Sequence, residues 1–495
     1  MPRLVCALLF ALVGCAGLPA DAERASSNAL ADGAGTRLGR ALAREIAAHR
    51  DQTGIHALAD GRDAFAARVL LARAADKSLD VQYYILRADV TGGLFCEALW
   101  QAAERGVRVR LLLDDNSTRG LDGALAALDA HPHIEVRLFN PYANRGFRLG
   151  EMVTDFSRIN RRMHNKSFTA DNQATIVGGR NVGDEYFGAE TEVAFADLDV
   201  LAIGAVVPEV SASFDAYWNS ASAFPASALL REKEPGLVRE AWAKLSADPR
   251  AARYIEALRA TPLLQELLNG TLALDWGAAR VVSDQPSKVL HPPERKDLHM
   301  LPLLEAALGK PGRELDLVSP YFVPTKEGTA ALVALAGRGV KVRVLTNSLA
   351  ATDVAPVHAG YAKYREALLR GGVRLYELKA QNGRERGGGS DASLHAKTFA
   401  VDRSRIFVGS FNFDPRSARL NTEMGVVLDS PRLAARLTEV LDRDLAGNAY
   451  EVRLAPNGAL EWNDRDARYD TEPGAGVLKR LWIGFLALLP IEWLL

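Results

Sequence analysis

Two stretches of this 495-residue chain spell one motif at a fixed separation, and few folds accommodate that. The first reads Arg162-Met163-His164-Asn165-Lys166-Ser167-Phe168-Thr169-Ala170-Asp171, followed by Ile176-Val177-Gly178-Gly179-Arg180-Asn181. The second reads Leu394-His395-Ala396-Lys397-Thr398-Phe399-Ala400-Val401-Asp402, followed by Phe407-Val408-Gly409-Ser410-Phe411-Asn412. His164 and His395, Lys166 and Lys397, Asp171 and Asp402, and Asn181 and Asn412 each lie 231 positions apart. A spacing this long means a duplicated domain rather than a short-repeat solenoid.

The flanking sequence repeats as well. Leu79-Asp80-Val81-Gln82-Tyr83-Tyr84-Ile85 and Leu315-Asp316-Leu317-Val318 open apolar strand-like runs, each followed by a helical pattern. The pieces Arg108-Val109-Arg110-Leu111 and Lys341-Val342-Arg343-Val344 then alternate as half-buried strands. Third strands follow at Ile134-Glu135-Val136-Arg137-Leu138 and Val373-Arg374-Leu375-Tyr376. Strands alternating with helices predict an α/β fold of two pseudo-symmetric domains, each a mixed, mostly parallel sheet flanked by helices, with one shared active site at their interface.

The expected order is a lipoprotein signal peptide at 1–15, a tether and helical segment at 16–55 and a first domain at 56–220. A helical connector at 221–280, broken at Pro225, Pro235 and Pro249, leads to a second domain at 281–452 and a tail at 453–495.

Residues i and i+2 of a strand share a face, so the His and Lys of each motif point the same way. The Asp five residues after the Lys falls where a tight turn belongs, and a return strand brings Gly and Asn back beside the pair. Two such halves face to face give two imidazoles, two ammonium groups and two amides around one pocket. The ammonium groups suit phosphoryl oxygens. One imidazole can attack phosphorus while the other protonates the leaving alkoxide, and the design requires neither metal nor cofactor.

These residues resemble the phospholipase D superfamily from about Leu71 to Glu451. The resemblance implies a catalytic set of His164, Lys166, Asp171, His395, Lys397 and Asp402, with a covalent phosphohistidine on one histidine and acid/base work by the other. His164 is taken as nucleophile and His395 as acid/base, although the pseudo-symmetry leaves either order open. It implies phosphate binding by both lysines, Asn181, Asn412, Gly179 and Ser410, and histidine orientation by downstream acids, matched here by Glu423 and Asp197. Asp171 and Asp402 sit at turns and are expected to brace them. Gly179 stands where Gly-Ser is common, which removes one hydroxyl donor at the phosphate.

Within the superfamily, Leu113-Asp114-Asp115-Asn116, Gly178-Gly179-Arg180-Asn181-Val182-Gly183-Asp184 and the Pro490-Ile491-Glu492-Trp493-Leu494-Leu495 ending are similar to the bacterial cardiolipin synthases of C type. That implies transfer of a phosphatidyl group to phosphatidylglycerol, with phosphatidylethanolamine a candidate donor. The alternatives are a phospholipase D-type hydrolase and, further off, a superfamily nuclease.

Charge argues against nucleic acid. Lys plus Arg number 60 against 61 for Asp plus Glu, a net charge of −1, whereas phosphate-backbone binders carry a basic excess. Three cysteines, two within the first fifteen residues, leave no disulfide framework and no cysteine metal cluster. Leu12-Val13-Gly14-Cys15 after an apolar run resembles the bacterial lipobox, which would make Cys15 a lipidated N-terminus. A periplasm-facing, membrane-associated lipoprotein is the expected location, and 16–35, rich in Ala, Gly and Ser, reads as a flexible tether.

The basic and apolar 478–489 run, with Pro490 and Glu492 close behind, falls short of a span and suits either an interfacial segment or, equally, a C-terminal helix packed on the domain. Four smaller features complete the reading. His131-Pro132-His133 reads as an exposed turn rather than a metal site, and Gly387-Gly388-Gly389 as a loop. Arg161 and Arg162 are candidates to greet an anionic headgroup. Asp114-Asp115-Asn116 lies at a strand's carboxyl end, where α/β sites gather.

Overall fold

The computed structural model describes residues 17–19, 22–188, 197–230, 235–380 and 394–495. Cys15, the apolar run before it and Gly387-Gly388-Gly389 lie outside these residues. The described chain forms two mixed sheets, one per half. The first comprises β1 (Thr53–Leu58), β2 (Ser78–Tyr83), β3 (Arg108–Asp114), β4 (Ile134–Phe139), β5 (Ser167–Ala170), β6 (Ala174–Gly178), β7 (Asp199–Gly204), β8 (Ala223–Pro225) and β9 (Asp275–Gly277). Their order is β8-β4-β3-β2-β5-β6-β7-β1-β9. The second comprises β10 (Ala279–Ser283), β11 (Glu314–Val318), β12 (Lys341–Asn347), β13 (Arg374–Leu378), β14 (Thr398–Val401), β15 (Arg405–Gly409), β16 (Met424–Asp429), β17 (Ala449–Leu454), β18 (Leu460–Asn463) and β19 (Arg468–Tyr469). It runs β10-β16-β15-β14-β11-β12-β13-β17-β18-β19.

The sheets are mixed, as expected, but less parallel than the sequence suggested. Parallel pairing is confined to β2-β3-β4 and β11-β12-β13, where helices such as Val90–Glu104 and Thr325–Gly337 supply the return crossing. The motif strands cannot be parallel to the strands they turn into, because β5–β6 and β14–β15 are joined by three-residue loops, and they also run antiparallel to β2 and β11. Asp171 and Asn172 turn these loops at φ of 52° and 53°, and Asp402 and Arg403 at 53° and 51°. Asp and Asn tolerate that left-handed conformation better than most side chains.

Each half carries the same buried clamp. Arg110 of β3 meets Asp80 of β2 at 2.7 Å and Asp215 of the helix Val206–Trp218 at 2.7 Å. Arg343 of β12 meets Asp316 of β11 at 2.6 Å and also Asp442 of the helix Pro431–Asn448. A guanidinium with several donors can bridge strand and helix at once. The halves then meet through one apolar cluster, with Val177, Val200 and Ala202 on one side and Ile406, Val408 and Val426 on the other. These are the strands that follow the two motifs, so apolar burial itself presses the motifs together.

Several boundaries differ from expectation. The connector belongs to the first half: its helices Pro249–Ala260 and Leu263–Asn269 bury Tyr254 and Leu267 in the first core, while β8 and β9 pair with β4 and β1. Residues from 22 to 35 are not a free tether. Arg110 donates to the Ser27 carbonyl, Asn172 to that of Leu30, and Asp215 accepts from the Ala29 N–H, because these buried and half-buried polar groups take the segment's backbone as partners. The tail adds β18 and β19 to the second sheet. His131 is buried against Trp100, ring centroids 4.7 Å apart, instead of lying on an exposed turn.

Candidate active site

The motifs run into the site just before their strands. An isolated backbone bridge pairs Met163 with Thr422, with the His164 N–H donating to the Thr422 carbonyl and the Thr422 N–H to that of Arg162. The first motif is therefore stitched directly onto the second half. His164 Nδ1 lies 2.8 Å from Glu423 Oε2 and 3.1 Å from the Ser410 carbonyl. His395 Nδ1 lies 2.7 Å from Asp197 Oδ2. Each half's acid thus holds the other half's histidine. Binding Nδ1 leaves Nε2 as the working nitrogen of both rings. Lys166 and Lys397 fold back to donate to the carbonyls of His164 and His395. Tyr84 sets its ring edge against His164 at 5.0 Å and Tyr186 against His395 at 5.2 Å, fixing each imidazole plane.

The two acids are held differently. Glu423 is fully buried and accepts from the hydroxyls of Ser410 and, at 2.7 Å, Ser417, while its N–H donates to Asp284 at 2.7 Å. Gly179 stands at the position of Ser410, and a Cβ there would overlap Asp197 Oδ1, with Cγ at 3.1 Å. The glycine makes room for the shorter acid. The sequence expectation of a missing phosphate donor is corrected: the Ser410 hydroxyl faces Glu423.

Electrostatics separate the histidines further. Burial pushes the Glu423 carboxyl up to about 7, against the pull of Lys166 and its two serines. Burial also raises Asp197, but the adjacent His395, with Arg180 and Lys397, overrides it and holds that carboxyl below its ordinary range. Burial, then Lys166 and Lys397, keep His164 well below an ordinary imidazole. His395 is lowered by burial and Lys397, with Asp197 opposing. Burial lowers Lys166 too and brings Lys397 to about 8. A phosphodiester anion placed between the lysines would supply the counter-charge that burial withholds.

Other sequence candidates divide. Asn181 accepts from the Ile85 N–H at 3.2 Å, and Asn412 Oδ1 is buried with no partner among the described residues. Asp171 and Asp402 stand outside the site. Asp171 accepts from the N–H groups of Asp76, Lys77 and Ser78, and Asp402 from those of Gly312, Arg313 and Glu314. With their oxygens filled by backbone, they brace the turns and touch nothing reactive. Arg162 does not reach a headgroup: it is buried against Asp114 at 3.0 Å, while Arg161 bonds the His291 carbonyl. Tyr84, Tyr186, Ser417 and Asp284 were not singled out in the sequence; Ser417 matches Tyr186 at the 231-residue offset, so the repeat conceals rather than reveals it.

A family described as "Cardiolipin synthase, PLD-like domain" matches residues 69–218 and 304–445, which takes in both motifs. The chain belongs to this PLD-like family. "Cardiolipin synthase C" of Escherichia coli (strain K12) is 47% identical over 472 residues, covering 93% of this chain and 100% of that protein. An uncharacterized protein of Helicobacter pylori (strain ATCC 700392 / 26695) is 35% identical over 445 residues, 88% of each chain. The phosphatidylserine synthase structure from Haemophilus influenzae Rd KW20 superposes with a TM-score of 0.56 at 14% identity, over 93% of this chain and 100% of that one, and so shares the PLD-like fold.

Proposed function

We propose that this protein is a phosphatidyltransferase that makes cardiolipin from phosphatidylglycerol and a phospholipid donor. The crossed acid–histidine pairing carries the reading, because it presents two imidazole Nε2 atoms of unequal character beside two lysines. His164, kept neutral by burial and backed by an acid near 7, is the nucleophile. Its Nε2 lone pair forms the N–P bond as the P–O bond to the donor headgroup breaks. His395, beside an ionised Asp197, donates its proton to the departing alkoxide. In the second half-reaction His395 takes the proton from a phosphatidylglycerol hydroxyl, whose oxygen attacks phosphorus and restores His164. Lys166, Lys397, Asn181 and Asn412 take the phosphoryl oxygens. Cardiolipin synthase C of E. coli, alike over its full length, supports this substrate class. The lipobox-like run ahead of Cys15 supports a lipid-anchored, periplasm-facing protein on the surface that holds its substrates.

Purified protein given labelled phosphatidylglycerol, with and without phosphatidylethanolamine, should form cardiolipin; phosphatidic acid as sole product would make it a hydrolase instead. The histidine roles separate with a phosphatidyl p-nitrophenyl ester, whose leaving group needs no proton. His395→Ala should still release one stoichiometric burst of p-nitrophenol and His164→Ala none. The reverse pattern would exchange the roles.

A further inference from the structure

The helix Val477–Leu488 is apolar on two faces. Ile483 and Leu486 are buried with Leu349 and Ala359, yet Leu478 (83% exposed), Leu481, Trp482 (53%) and Phe485 line the outer side with nothing among the described residues over them. Trp482 and Phe485 stack at 5.6 Å. The helix carries Lys479 and Arg480 and no acidic residue. A second uncovered ridge rises from the other half: Phe147 (62%), Leu149, Met152 and Val153 (83%) on and beside the helix Arg148–Thr154. Its acids are neutralised locally, Arg158 pairing with Glu151 at 3.1 Å and Asp155 at 2.5 Å.

Contacts lead from each ridge toward the site. From His164 a continuous path runs through the Tyr84 ring, Asn116 (3.3 Å from the Tyr84 hydroxyl) and Tyr142 (2.9 Å from Asn116) to Met152 at 3.8 Å. In the second half the Tyr321 hydroxyl bonds Asp353 at 2.9 Å, just before the helix Ala355–Ala362 that carries Ala359 under the C-terminal helix. The carbonyls of Leu494 and Leu495 also close onto Arg416, four residues from Asn412.

We propose that the two ridges enter the headgroup–acyl boundary of an anionic phospholipid bilayer together and seat the mouth of the site on it. The proposal rests on the phospholipid-substrate reading and names the surface that delivers the substrate. A 12-residue helix is about 18 Å long against a hydrocarbon core of about 30 Å, so it lies in the plane. Aromatic and aliphatic side chains flanked by Lys and Arg match that depth and charge. A bilayer under both ridges also holds the lipid that the site consumes, which a covering protein would not. Two exposed apolar ridges are otherwise unfavourable in water.

The test uses the chain from residue 16 onward, so that neither an acyl chain nor the apolar run ahead of Cys15 masks the contact. Vesicles of phosphatidylethanolamine and phosphatidylglycerol should bind it, and brominated acyl chains should quench a tryptophan emission that Trp482→Phe removes. Leu481→Glu/Trp482→Glu and Leu149→Glu/Val153→Glu should each weaken vesicle binding roughly tenfold or more. Their circular dichroism, and their turnover of a short-chain, monomerically dissolved phosphatidylglycerol, should match the parent. Unchanged vesicle binding in both double variants, or no quenching of Trp482, would overturn the proposal. So would a parent dimer that the same substitutions dissociate, since the ridges would then cover each other. Vesicle binding is read without turnover, so an enzyme lacking transferase activity leaves this result standing.

Discussion

Placing a side chain at Gly179 tests how the site is seated. A Cβ there overlaps Asp197 Oδ1, with Oδ2 at 3.2 Å, and unbonded heavy atoms settle about 3.5 Å apart, so the carboxylate must retreat by roughly 1 Å. Asp197 holds His395 Nδ1 at 2.7 Å, and that retreat stretches the bond beyond useful length. A charge-assisted hydrogen bond is worth about 1.5–3 kcal/mol, and about 1.4 kcal/mol is a factor of ten in rate. Gly179→Ala and Gly179→Ser should therefore each lower kcat roughly 10- to 100-fold, with KM nearly unchanged, in a mixed-micelle assay following labelled phosphatidylglycerol into cardiolipin. The pair of variants separates two ideas. If the residue mattered as a phosphate donor, serine would match or exceed glycine and only alanine would lag. Full kcat in either variant would refute the seating argument.

Two further outcomes follow from the same geometry. Asp171→Ala removes the acceptor for three backbone N–H groups at the edge of β2, so urea denaturation should show a loss of roughly 2–4 kcal/mol, while kcat per folded molecule stays near the parent value. A kcat that collapses in fully folded protein would return Asp171 to the chemistry. The pH dependence should be bell-shaped. Below about 7 Glu423 takes up a proton and stops supporting His164 as an anion, and above about 8 Lys397 loses the charge that meets the phosphate. Log kcat/KM should therefore fall on both sides of a maximum between those values, and Lys397→Arg should weaken the alkaline limb without abolishing it, since burial lowers Lys166 as well; a flat profile from pH 6 to 9 would count against both assignments.

The repeat, the α/β class, the paired motifs and the bracing role of Asp171 and Asp402 were legible because each is local. A turn declares itself in two residues, and a strand in alternation. Strand direction was less so: runs such as Arg405–Gly409 read alike in either orientation, and only the three-residue loop before it decides. Glu423 and Asp197 were identified, but not whose histidine each would hold. That depends on which strands the apolar faces of Val177, Val200, Val408 and Val426 press together, a packing event separated by some two hundred residues of sequence. The outer ridge at Phe147–Val153 escaped because a short helix with a few apolar residues looks like any other until its neighbours are seen not to cover it.

The crossing has a consequence for the duplication itself. Had each acid served its own half, one half would retain an oriented histidine and a lysine when separated from the other. As built, His164 without the second half loses Glu423 and the Ser410 carbonyl, and His395 without the first loses Asp197. Neither imidazole then has a fixed Nε2. Docking of the two halves is thus the step that makes the site, which is why Met163 and Thr422 pair as backbone at the very point where the first motif begins. It is also what allows the two histidines to differ. With sequences no longer identical, one interface could pair a long acid with serine and the other a short acid with glycine, giving two histidines in unequal settings from a motif written the same way twice.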